Sequence, residues 1–73
     1  MQYKRKILKV DTDYFGREKI IYALKNLDGV FSVEYRQDKN FIEIFMDKNN
    51  EVGDGTIIDA VNHAGDFKIF ALD

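Results

Sequence analysis

The hydrophobic residues of this chain keep changing their spacing, and the order of the changes leaves few folds open. Residues 3–10 hold Ile7, Leu8 and Val10 among Lys4, Arg5, Lys6 and Lys9, a strand with Leu8 and Val10 facing inward. From about Tyr14 the spacing lengthens to three and four residues, through Phe15, Ile20, Ala23, Leu24 and Leu27. That predicts an amphipathic helix lying on a sheet. Asp11, Thr12 and Asp13 precede it and can cap its unpaired amides, and Asp28-Gly29 closes it. The two-residue period then returns, with Phe31, Val33 and Tyr35 on one face and Ser32, Glu34 and Arg36 on the other. After a polar turn over residues 37–40, residues 41–46 form a third strand with Ile42, Ile44 and Met46 on one side and Phe41, Glu43 and Phe45 on the other. A charged loop with Gly53-Asp54-Gly55 leads into a second helix over residues 56–64, capped by Asp54 or Thr56 and turning Ala60, Val61 and Ala64 inward. Residues 67–72 form a last strand.

Strand, helix, strand, strand, helix, strand, joined by right-handed crossovers, is the ferredoxin-like α+β plait, with an antiparallel sheet in the order 4-1-3-2 and both helices on one face. At 73 residues, one domain spanning 1–73 is expected, and it must use its apolar residues efficiently to stay folded.

Composition removes several classes of function. The chain has no cysteine, so it carries no disulfide, no thiolate metal site and no thiol nucleophile. No apolar run approaches the length of a membrane span, and the cationic start leads into a strand instead of a signal-peptide core, so a cytoplasmic protein without membrane insertion is expected. A net charge of -2, with Glu34 and Glu43 among the strand aromatics, argues against nucleic acid as a partner. No serine or cysteine pairs with a histidine, and no glycine-rich loop has phosphate-cradling spacing, so a non-enzyme without catalytic residues or cofactor is expected. His63, the single histidine, falls on the solvent side of the second helix.

The residues Ile20-x-x-Ala23-Leu24-x-x-Leu27-x-Gly29-Val30-x-x-Val33-x-Tyr35, followed by Ile58-x-Ala60-Val61-x-x-Ala64-Gly65, resemble the heavy-metal-associated domain of copper chaperones and metal-transporting P-type ATPases. The resemblance covers nearly the whole chain and implies the same plait. It also implies that the family's metal loop, normally M-T-C-x-x-C, falls on Asp11-Thr12-Asp13-Tyr14-Phe15-Gly16. Here the threonine is kept and both cysteines are gone, with Asp13 at the first thiol position, Gly16 at the second and Asp11 in place of the methionine. A carboxylate and a glycine do not reproduce a soft-ion sulfur site.

Two expectations about function follow. In the first, Ile7, Phe41, Phe45 and Phe70 form an apolar surface on the uncovered sheet face and bury against a protein partner or a second copy of the chain. In the second, Asp11 and Asp13 offer oxygen ligands to a divalent metal ion such as Mg²⁺ or Ca²⁺, although Asp13 is also the natural cap of the helix.

Overall fold

The computed structural model describes residues 3–73. Six elements follow one another: β1 (Tyr3–Asp11), α1 (Tyr14–Lys25), β2 (Val30–Arg36), β3 (Phe41–Asp47), α2 (Asp54–Ala64) and β4 (Lys68–Leu72). The strands make one sheet in the order β2-β3-β1-β4 with every pairing antiparallel. This is the expected ferredoxin-like plait.

The core lies between the helices and one sheet face. Leu8, Ile42, Ile44 and Met46 come up from β1 and β3 to meet Ile20 and Leu24 of α1 and Ile57 and Val61 of α2, all fully buried. Val33 and Val52 complete it. Burying a whole aliphatic side chain contributes about 1.5–3 kcal/mol, so this row is the main source of stability in so small a chain.

Beyond the helices, β1 keeps its covered side by ion pairing. Lys4 and Lys6 stand opposite Met46 and Ile44 in the register and reach Glu51 and Asp54, at the loop and the first turn of α2. Lysine stems cover apolar surface while their ammonium groups stay with carboxylates.

Four local expectations need correction. Phe15 is 74% exposed, because the inward stripe of α1 runs through Gly16, Ile20 and Leu24 and leaves Phe15 one residue to the side. The helix ends at Lys25 with Asn26 as its cap, and Gly29, at φ 98°, serves the turn into β2 instead. A Cβ on Gly29 would lie 2.4 Å from the Asn50 carbonyl oxygen, so side chains are excluded there by both space and backbone angle. The cap of α2 is Gly53, with no side-chain hydrogen bond, and Asp54 lies inside the first turn, where a carboxylate suits the helix dipole. Finally, a bulge between Val30 and Ser32 pairs Val30 with Met46 and Ser32 with Phe45. The extra residue, Phe31, leaves the Val33 and Tyr35 face and stands 55% exposed.

Candidate functional site

Two regions carry the residues singled out by the sequence: the first crossover and the uncovered face of the sheet. In the crossover, Asp13 is the N-cap of α1, with an extended backbone and a side-chain oxygen that accepts from the Gly16 amide at 2.8 Å. That bond satisfies one of the amides a first turn leaves unpaired. The Thr12 hydroxyl donates to the Asp13 carbonyl oxygen at 3.2 Å. Asp11 ends β1 as an exposed residue opposite Lys68. Among the described residues, no group of three or more histidine, aspartate or glutamate side chains gathers as a metal-holding cluster.

Gly16 is buried, and the space above it is taken. A Cβ there would lie 2.0 Å from Thr12 Oγ1 and 2.6 Å from Phe67 Cε1. The same ring lies 2.7 Å from the Cβ position of Gly65. One aromatic side chain, arriving just before β4, thus seats between the glycines that begin α1 and end α2. Sequence reasoning gave Phe67 no such role. Its signal was two glycines, far apart in the chain, each at a helix end with an aromatic residue nearby.

Around this closed turn the surface is aromatic. Tyr14 and Phe15 are exposed and meet edge to face, with centroids 5.6 Å apart. The Arg17 guanidinium lies 3.8 Å from the Tyr35 ring centroid and 5.5 Å from that of Tyr14, joining α1 to β2. His63 is exposed near the end of α2 and its Nδ1 donates to the Asp59 carbonyl oxygen at 2.7 Å.

On the uncovered face the registers place Arg5 opposite Phe45, Ile7 opposite Glu43, Glu34 opposite Glu43 and Arg36 opposite Phe41. Ile7, Phe41 and Phe45 are half-buried and Phe70 is 61% exposed. A charged centre divides them. Glu43, on the central strand β3, is only 3% exposed. Its carboxylate accepts from Arg5 Nη1 at 2.9 Å on one side and from Arg36 Nε on the other. Hydrogen bonding to Arg36 first, and the positive charge of Arg36 and Arg5 with it, hold the Glu43 carboxyl below the usual carboxylate range against the opposing effect of burial. Arg36 is raised in turn, chiefly by its hydrogen bond to Glu43. In sequence Arg5 is only one of the cations of the first strand, and the three-dimensional register alone puts it beside Glu43.

The division leaves an aromatic recess at one end of the face and a cationic corner at the other. At the recess, Tyr3 and Phe45 stand edge to face at 5.8 Å and 75°. Phe31, Ser32 and Glu34 complete an open hollow of about 430 Å³. Tyr3 and Phe31 were absent from the expected surface, Phe31 because no local signal announces the bulge that turns it over. At the other corner, a register shift after Lys9 leaves Phe70 out of the ladder. There it lines a hollow with Lys9, Asp11, Lys39 and Asn40, and Lys68 Nζ lies 5.2 Å from its ring centroid.

No protein-family model matches this sequence, and no curated protein matches it. Among solved structures, the chain is similar to the copper binding domain of HMA7, a P-type ATPase, with a TM-score of 0.69 and 26% identity over 96% of this chain and 99% of that one. The chain shares its ferredoxin-like fold with that domain. This heavy-metal-associated-like chain nonetheless contains no cysteine, and no helix among its described residues is long and apolar enough to cross a membrane.

Proposed function

We propose that this heavy-metal-associated-like domain is a non-catalytic interaction module that binds a protein partner through its uncovered sheet face, and that it does not handle soft metal ions at the first crossover. One observation carries the reading: the position where the resemblance would place a second ligand is a buried glycine whose Cβ space is filled by Thr12 and Phe67. A crossover closed by an aromatic ring and a hydroxyl offers no soft donor there, and Asp13 already spends an oxygen on its helix. Solvent-facing aromatic groups at both ends of the uncovered face supply the alternative surface.

Phe45→Asp and Phe31→Asp test the interface. Phe31 is the more exposed of the two, so its variant keeps the readout if Phe45→Asp folds poorly. Sizing at two concentrations, with recovery of partners from the native source, reads both association with a second copy and association with another protein. Loss of either in both variants is the expected result, and variants that keep the parental size and every parental partner overturn the reading. Titration with Cu(I), Zn²⁺, Ca²⁺ and Mg²⁺ followed by amide spectra tests the crossover. Unchanged amides over residues 11–16 are expected, and stoichiometric saturation of those amides by any of these ions, in a single copy of the chain, would restore a metal function.

A further inference from the structure

The recess at the Tyr3 end of the sheet is walled by rings and carries one carboxylate, that of Glu34, at its rim. Tyr3 and Phe45 stand at 75° to one another, and Phe31, delivered by the bulge, adds a third ring to the same hollow. Rings set at an angle to one another around one hollow suit a compact, rounded head group more than a flat one. The negative face of each ring attracts a cation. Glu34 lines the hollow with its side chain 52% exposed. Arg5 and Arg36 spend their nearest donors on the Glu43 carboxylate, and Arg36 Nη2 pairs only loosely with Glu34, at 3.8 Å. A neutral apolar guest would use the rings and leave Glu34 without a role, whereas an ammonium group uses both.

We infer that Tyr3, Phe31 and Phe45, with Glu34 at the rim, form a seat for the alkylammonium head of a lysine side chain, plain or methylated, presented by a partner protein. The inference deepens the reading above and rests on it, since it takes the uncovered face as the binding surface and names the chemistry that surface selects. Methylation strips hydration from the ammonium group while keeping its charge, so the trimethylated form is the stronger guest.

The test is a titration of the isotope-labelled chain, followed by amide spectra, with N-acetyl-lysine methylamide, its trimethylated form, and an uncharged analogue carrying a tert-butyl group in place of the trimethylammonium. Both cations are expected to give saturable shifts at Phe31, Ser32, Glu34 and Phe45. The uncharged analogue is expected to bind at least about fivefold more weakly than the trimethylated probe. Phe31→Ala, at an exposed position that the core does not need, weakens the trimethylated probe by about tenfold. Glu34→Gln weakens both cations, flattens their salt dependence and leaves the analogue unaffected. The ammonium seat is overturned if the uncharged analogue binds as tightly as the trimethylated probe, or if neither cation moves these amides. In either case the wider interface reading stands or falls separately, on the size and partners of the Phe45→Asp and Phe31→Asp variants.

Discussion

Strand β3 shows the same alternating pattern to both sides of the sheet, yet its two faces reach stability by different means. Toward the helices, Ile42, Ile44 and Met46 are sealed by apolar side chains and exposed to solvent by 1% or less. Toward the open side, Phe41 and Phe45 are half-buried and the residue between them, Glu43, is shielded by two arginines. With only two helices, the plait can roof one face. The other face lowers its apolar exposure with long side chains and an ion cluster, and keeps aromatic groups available at its two ends. A single strand can therefore be core on one side and candidate contact surface on the other, with a charge at its centre that separates two patches.

The largest effect expected from this contrast is Ile44→Ala, which removes a fully buried side chain at the centre of the roofed face. A loss of about 3 kcal/mol in unfolding free energy, measured by denaturant titration, is predicted. Its neighbour gives the sharper comparison. Phe45→Ala removes more atoms from a half-buried site that can refill with water and should cost about 1.5 kcal/mol, half or less of the usual cost at a sealed site. An equal or larger loss for Phe45→Ala would mean that the open face is as much a core as the other.

Glu43→Gln tests the charged centre. Because the arginines hold its carboxyl below the value in the unfolded chain, the folded state binds the proton less tightly than the unfolded state does. The stability this contributes is present above the unfolded carboxylate range, about pH 4.3, and is lost as pH falls through the lower folded value. The variant should melt at a lower temperature than the parent at pH 7. The two melting curves should converge in acid, with Glu51, held down chiefly by its hydrogen bond to Lys4, supplying part of the slope that remains in both. Parallel melting temperatures across this pH range would show that the cluster contributes nothing.

The smallest effect is expected at Phe31. Phe31→Ser should change stability by less than about 0.5 kcal/mol, as for other exposed positions, because the bulge has already taken the ring out of the core. A loss comparable with that of Ile44→Ala would mean that Phe31 packs inward in solution, and would remove the third wall of the recess.

The fold was legible because periodicity and caps act within a few residues of one another. Ile20 and Leu24, Val33, and Ile42 with Ile44 and Met46 announced which surfaces meet, and Asp13 announced where α1 begins. Phe15 misled because its spacing from Ile20 fits a helix stripe while its neighbour Gly16, too small to count in any hydrophobic pattern, occupies the inward position. The alternation of β3 announced Phe41 and Phe45 on the open face, but the division of that face into two patches depends on Arg5 and Arg36, some thirty positions apart in the chain, converging on Glu43.

The amino-acid order alone thus determined the elements, their sequence along the chain, the roofed face of the sheet and the absence of any thiol ligand, since each follows from local spacing or from composition. The tertiary structure alone decided that Phe67 closes the crossover over Gly16 and Gly65, that Phe31 turns outward to join Tyr3 and Phe45, and that Glu43 sits between two guanidinium groups. Those outcomes depend on strand register and on which distant side chain fills a gap, and both are set by packing across the whole domain, where no short stretch of sequence carries the information.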